Sequence, residues 1–254
     1  MNALAPNKIR LASLPGWLRA GWRIFLQEKG LSAAYASIFA VLGFMQFFAV
    51  VRAGMSPLVV ALAGGFMLLG PALLCGFFNV SDHLDRGGRV RLRHFFAGFR
   101  LAPPALWVVA LIEMFLFLIW LTDAVVVYGL SFGVANNMGL PEFFAGLAGE
   151  GATWPYLFFS GLMGTLLAFI IYTTAAFAVP LLFYRRATLT GAVSASVRAV
   201  FYNFPAMLAW GVILSLGMFA AMLLLLPLFP VVFPVLAYAS RQAYRDVFPQ
   251  QPVF

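Results

Sequence analysis

The sequence predicts an all-α fold, a polytopic transmembrane helical bundle with six spans. The 254 residues are 63% hydrophobic and only 9% charged, and the mean hydropathy is +0.96. Soluble domains have about a quarter of their residues charged. Several apolar runs reach the roughly 20 residues that cross a bilayer core. The basic residues lie in short segments between these runs, where they act as topology signals, so we expect no nucleic-acid partner.

Four apolar runs each have the length of one span, at residues 31–51, 57–80, 104–128 and 154–183. A fifth run, residues 205–240, is too long for one upright helix and short for two with a generous loop. Pro227 and Pro230 disfavour a continuous straight helix there. We therefore expect two further spans, at 205–226 and 227–244. One long kinked helix is the alternative.

The distribution of charge favours the six-span arrangement. If the N-terminus is cytoplasmic and the last run crosses twice, every Lys and Arg except Arg52 lies on one side, as the positive-inside rule requires. The kinked-helix alternative would move Arg241 and Arg245 to the opposite side. We expect residues 1–30 and the tail 245–254 to be cytoplasmic, residues 31–244 to form the membrane domain, and the location to be a bacterial inner membrane. The first apolar run is too long for a signal peptide and is expected to stay as the first span.

Each cytoplasmic segment that leads into an odd-numbered span predicts an amphipathic surface helix. The apolar stripes contain Leu14, Leu18, Phe25 and Leu26 in the first, Leu92, Phe95, Phe96 and Phe99 in the second, and Leu189, Val193, Val197, Val200 and Phe204 in the third. The arginines expected to contact anionic lipid headgroups are Arg19, Arg23, Arg91, Arg93, Arg100 and Arg198. The recurring order of surface helix, breaker and span predicts a threefold repeat of surface helix plus hairpin. Alternatively, any three hairpins that are entered from the basic side would look alike.

Motifs for enzyme chemistry are weak. Residues 129–133 match the G-x-S-x-G pattern of a serine nucleophile, but the only histidines, His83 and His94, lie on the opposite side of the membrane in this topology. No base could then reach Ser131. We expect a protein that is not an enzyme.

A metal or redox centre is not expected either. Asp82, His83 and Asp85 lack a spaced partner for a metal ion and are interpreted as a solvated helix end. No histidine lies within a predicted span, and haem or copper centres buried in membranes usually need imidazole ligands. We expect no cofactor and no metal site.

The candidate functional residues are two acids within the third span. Glu113 lies close to mid-span, where an ionisable group is costly unless it is neutral, paired or facing water. Asp123 lies nearer the outer interface and is the weaker candidate. The two are separated by about 15 Å along a helix and do not form a dyad. Glu113 handles protons or cations, or it is a protonated acid that hydrogen-bonds Tyr172, Thr173 or Thr174.

Four short segments carry a resemblance to a known family. They are Gly21-Trp22-Arg23, Gly70-Pro71, Leu84-Asp85-Arg86-Gly87 and Ala243-Tyr244-Arg245-Asp246. With these the chain resembles, over nearly its whole length, the bacterial family named domain of unknown function 2189. The resemblance implies an integral membrane protein of no established activity, and some relatives carry a label as cytochrome c oxidase subunits. It implies no role for Glu113 or Asp123.

Two functions are compatible with these features. The leading hypothesis is a haem-free accessory or structural component of a larger membrane complex, such as a respiratory oxidase. The alternative is a small transporter or channel in which Glu113 is the titratable group within the membrane. Anionic lipids on the cytoplasmic side are expected partners in both.

Overall fold

The computed structural model describes residues 4–54, 70–132, 142, 145, 153–221 and 226–249. Helices account for nearly all of the secondary structure in these ranges, which contain no strand. The predicted all-α fold class is confirmed.

The helices follow one another with short connections. They are α1 (Leu14–Gln27), α2 (Lys29–Arg52), α3 (Gly70–Asp85), α4 (Leu92–Leu101), α5 (Pro104–Phe132), α6 (Thr153–Ala175), α7 (Ala178–Phe183), α8 (Leu189–Tyr202), α9 (Phe204–Phe219) and α10 (Phe229–Val247). Short 3₁₀ turns lie at Leu11–Ser13 and Leu226–Leu228.

Three helical segments are long and apolar enough to cross a membrane by themselves. They are Lys29–Arg52, Pro104–Phe132 and Trp154–Phe183, and they match the predicted spans 31–51, 104–128 and 154–183. Helices α8 and α9 form a fourth candidate together, although the chain bends by 104° between them. Residues 57–69 of the predicted second span lie outside the described residues. The count of six spans and the threefold repeat stay predictions.

The last apolar run forms two helices, α9 and α10. Gly217 of α9 lies against the side chains of Val232 and Leu236 of α10. Met218 and Phe233 are buried in the same apolar cluster, so the two helices pack on each other. Residues 222–225, which connect them, are outside the described part of the chain.

Helix α10 forms the centre of the bundle, because most of its side chains from Phe229 to Val247 are buried. Helix α1 packs on it closely at Gly21, where a side chain would meet the backbone of Val235 and Ala239. Helix α2 is joined to it by a hydrogen bond of 2.8 Å between the hydroxyls of Ser32 and Tyr238.

The outer faces of the long helices are apolar and uncovered. Met45 of α2 is 62% exposed, Phe115 of α5 is 62% exposed and Leu216 of α9 is 65% exposed. Contiguous apolar surface of this kind is rare on a soluble protein, whereas helices in lipid require it.

The predicted surface helices pack against the protein more than the sequence indicated. In α1 the buried face consists of Leu14, Trp17, Gly21 and Phe25, while Leu26 of the predicted stripe is 50% exposed. Hydrophobic periodicity detects an apolar face but does not distinguish a protein partner from lipid. The six arginines predicted to contact lipid headgroups are all exposed, and their lipid contact stays a prediction; they are Arg19, Arg23, Arg91, Arg93, Arg100 and Arg198.

Candidate intramembrane binding site

Glu113 is the most unusual side chain within the spans. It lies in α5 on the face that packs against α6, and it is only 2% exposed. Neither carboxylate oxygen has a hydrogen-bond partner among the described residues. A buried carboxyl group without partners is costly in hydrocarbon. An acid in such a position is by default a candidate functional group, so Glu113 is the starting point for the site.

A cavity of about 530 Å³ lies against Glu113; most of its lining comes from α6 and α9, with further residues from α3, α5, α7 and α10. Its wall follows α6 from Tyr156 to Ala175, a helical length of about 30 Å, which is the thickness of a bilayer core. Most of the lining is apolar. Besides Glu113, the lining side chains that carry an N–H or O–H group are Trp120, Tyr156, Ser160, Thr165, Tyr172, Trp210, Ser215 and Ser240.

Small residues bring the helices around the cavity together. A side chain at Gly164 of α6 would lie 2.8 Å from the indole ring of Trp120 of α5, so glycine is what lets this ring pack there. On the α9 side, a Cβ at Gly211 would lie 3.3 Å from the ring of Tyr172. The indole nitrogen of Trp120 has no acceptor among the described residues and lies on the same wall as Glu113, about two helical turns away.

The predicted local partners of Glu113 are bonded elsewhere. The hydroxyls of Thr173 and Thr174 donate to the backbone carbonyl of Ile170, each at 2.9 Å. The Tyr172 hydroxyl donates to the carbonyl of Met207 at 2.8 Å. The interpretation of Glu113 as an acid that hydrogen-bonds one of these three hydroxyls therefore has no support in the structure.

Asp123, the weaker candidate, does not belong to this site. It is partly buried, and one of its carboxylate oxygens lacks a partner among the described residues. The cavity lining includes Glu113 but not Asp123. The structure therefore separates the two acids, in agreement with the prediction that they form no dyad.

The serine and the histidines of the motifs that were set aside lie far apart among the described residues. Ser131 lies in the last turn of α5, at the opposite end of that helix from α4, which carries His94. The rings of His83 and His94 lie 4.3 Å apart between centroids, and His83 contacts the carbonyl of Arg89. Within the part of the chain that the structure describes, no three His, Cys, Asp or Glu residues are grouped to hold a metal ion.

A second polar cluster, which the sequence analysis missed, joins α3 to α10. Arg241 is 5% exposed and donates to Asp82 and, at 2.7 Å, to Asp85. Tyr184 accepts a hydrogen bond of 3.0 Å from Arg241 and donates one of 3.1 Å to Asp82. Arg245 adds a bond of 2.9 Å to Asp85. The two aspartates that were interpreted as a solvated helix end are thus ion-paired, which corrects that interpretation.

The cluster has a balanced charge. Burial alone would raise the pKa of the Asp85 carboxyl, but the guanidinium groups of Arg241 and Arg245 hold this pKa below its ordinary value. An adjoining cleft of about 720 Å³ is lined by three aspartates, Asp82, Asp85 and Asp246, and three arginines, Arg86, Arg241 and Arg245. Because Asp82 and Asp85 pair with Arg241 and Arg245, we interpret the cluster as a structural link between helices.

The signal that could have located this cluster is present in the sequence. Asp82 and Asp85 are three residues apart on α3, and Arg241 and Arg245 are four apart on α10, so each pair lies on one helix face. The predicted topology puts both pairs on the same side of the membrane. To predict that the two pairs contact each other, one must also know that α3 packs against α10.

The fold and the site define a polytopic α-helical integral membrane protein with a cavity inside its membrane domain. Residues 58–183 match the model of a family of predicted integral membrane proteins, domain of unknown function 2189, and the chain belongs to this family. The matched range contains Gly70-Pro71 and Leu84-Asp85-Arg86-Gly87, but not the other two similar segments. No curated protein and no solved structure matches the chain.

Proposed function

We propose that this protein is a small transporter of a bacterial inner membrane, in which Glu113 binds either a proton or the transported solute. The observation that carries the proposal is the position of Glu113, buried in α5 beside the cavity, with both carboxylate oxygens unpartnered among the described residues. Intramembrane acids of this kind are found on substrate and proton pathways.

A single carboxyl group gives a simple exchange mechanism. An unpaired carboxylate is expensive in hydrocarbon, so Glu113 holds a proton while the cavity is empty. A solute that supplies a positive charge or hydrogen-bond donors stabilises the carboxylate and displaces this proton. Because the same site holds either the proton or the solute, movement of the solute across the membrane is coupled to movement of a proton in the opposite direction.

The orientation is part of the proposal. With both termini in the cytoplasm, the cluster of Asp82, Asp85 and Arg241 lies at the cytoplasmic end of the bundle, and the exposed arginines face the negatively charged lipid surface. The end of α6 that carries Tyr156 then lies towards the periplasm. The cavity lining follows α6 from this end towards the cytoplasm.

The accessory role in a larger complex, such as an oxidase, is the weaker proposal. Its structural requirement is an uncovered apolar face, and α2, α5 and α9 have such faces. Lipid alone accounts for them, however, and an accessory role gives no reason for the unpartnered oxygens of Glu113. Co-purification of a stoichiometric partner in mild detergent would favour it.

The test is transport by purified protein in liposomes that carry an acidic lumen and a fluorescent pH indicator. Sodium, potassium, neutral amino acids and quaternary ammonium salts are added separately outside. We expect at least one class to dissipate the pH gradient faster with the wild type than with Glu113→Gln. Asp123→Asn, a matched loss of one acid on the same helix, should behave as the wild type does.

Folding of the variants is checked by size-exclusion chromatography in the same detergent. Equal rates for the wild type, Glu113→Gln and protein-free liposomes with every solute would overturn the proposal. Loss of flux in Asp123→Asn as well as in Glu113→Gln would also count against it, because Asp123 lies outside the cavity lining.

A further inference from the structure

We infer that the cavity beside Glu113 binds a lipophilic organic cation, meaning a protonated amine or a quaternary onium ion with bulky apolar groups. The cation would lie at the Glu113 carboxylate, and its apolar groups would fill the rest of the cavity. The claim that this cation is the transported solute rests on the proposed function. The claim that the cavity binds such a cation rests on the charge, composition and volume of the cavity.

The charge of the site selects a cation. The described residues that line the cavity include no Lys, Arg or His. Among the described lining residues, the titratable side chains are Glu113 of α5 and two phenols of α6, Tyr156 and Tyr172. The hydroxyl of Tyr172 already donates to a carbonyl, so it leaves the carboxylate without compensation. A ligand that carries one positive charge supplies the counter-charge that the described lining residues do not provide for the Glu113 carboxylate.

The composition of the walls selects an organic cation over a metal ion. Calcium and magnesium need about six oxygen ligands, whereas the described lining offers one carboxylate and a few hydroxyls among apolar side chains. Two indoles, Trp120 and Trp210, and the phenol of Tyr156 also line the cavity. Aromatic faces attract onium ions, most strongly where water is excluded.

The volume and position of the cavity agree with an amphiphilic ligand. A volume of about 530 Å³ lies within the roughly 300–1,000 Å³ of pockets that hold drug-sized molecules. On the α9 side the lining includes Leu208, Val212 and Leu216, which are 43%, 47% and 65% exposed. These side chains connect the cavity to the outer apolar surface, where a lipophilic cation that has partitioned into the bilayer would arrive.

The direct test is binding of radiolabelled tetraphenylphosphonium to the purified wild type by equilibrium dialysis in mild detergent. Tetraphenylborate, which has nearly the same size and shape but the opposite charge, is the control ligand. We expect saturable binding of one phosphonium ion per chain and no saturable binding of the borate. Affinity should fall by at least about tenfold in Glu113→Gln, because one partner of a desolvated charge pair is removed.

Two further measurements exclude a general effect of the substitution. Asp123→Asn should bind tetraphenylphosphonium as the wild type does. Binding to the wild type should weaken as the pH is lowered, because protons compete for Glu113, and binding to Glu113→Gln should not change. Equal affinity in the wild type and Glu113→Gln, or equal binding of the two probes, would overturn the inference.

The outcomes also separate this inference from the proposed function. If tetraphenylphosphonium binds with the expected dependence on Glu113 but no solute moves protons in liposomes, the binding site stands and the transport proposal fails. If another solute class moves protons through Glu113 while tetraphenylphosphonium does not bind, transport stands and the substrate class is wrong.

Discussion

Arg241 of α10 forms an ion pair with Asp82 of α3, although most of the chain separates these two residues in the sequence. The arginine is 5% exposed and also contacts Asp85 and Tyr184. This pair fixes the end of the central helix against the end of α3, and its burial makes the loss of either partner costly.

Replacing Arg241 by Met should therefore destabilise the protein strongly. The change leaves Asp82 without its cation, and we expect a loss of about 3–5 kcal/mol in the free energy of unfolding, as for other buried pairs that lose one partner. Arg245→Met is the matched control, because Arg245 is about half exposed and its pair with Asp85 should be worth about 1 kcal/mol or less. Thermal unfolding in detergent, followed by tryptophan fluorescence, measures both. Equal losses would contradict the structural role of the cluster.

The ion pairs also predict a dependence of stability on pH. The arginines hold the pKa of Asp85 below its ordinary value, so the unfolded chain binds protons more readily at this group than the folded chain does. Its stabilising contribution is fully present above about pH 4 and is lost as the pH falls through the folded-state pKa. The unfolding temperature of Asp85→Asn should fall less between pH 5 and pH 3 than that of the wild type. An identical fall in both proteins would show that Asp85 is not stabilised by its arginines.

Close packing of α1 on α10 depends on the absence of a side chain at Gly21. A methyl group there would meet the carbonyl oxygen of Val235 and the backbone nitrogen of Ala239, neither of which can rotate away. Gly21→Ala should destabilise the protein by about 1–3 kcal/mol. Gly16→Ala on the same helix meets nothing within 4 Å and should stabilise it by about 0.5–1 kcal/mol. A stabilising Gly21→Ala would show that the two helices do not approach this closely.

Much of the fold could be predicted because the length and hydropathy of each apolar run depend only on neighbouring residues in the sequence. Three predicted spans, 31–51, 104–128 and 154–183, coincide with helices that are long and apolar enough to cross a membrane. The place of Glu113 within the third span follows in the same way from counting along the sequence, and its depth in the membrane stays a prediction. The cavity beside Glu113 could not be predicted, because it depends on which helices face α5. Gly164 and Trp210 line the same cavity as that acid because of how the helices pack.

The polar cluster shows more clearly what cannot be predicted from the sequence alone. From the residues that neighbour them in the sequence, Arg241 is interpreted as a topology signal and Asp82 as part of a solvated helix end. Their pairing arises only when α10 packs beside α3. The contact of α1 with α10 was missed for a related reason, since an apolar stripe with arginines opposite is equally suited to a protein groove and to a lipid surface.

The most direct test of the account measures whether Glu113 exchanges a proton for a cation. Purified protein in weakly buffered detergent is mixed with saturating tetraphenylphosphonium, and the protons released are counted with a pH indicator at several values from pH 6 to pH 9. We predict release of about one proton per bound cation at the pH where Glu113 is protonated, and no release from Glu113→Gln. Stoichiometric binding without proton release at any pH in this range would contradict the account.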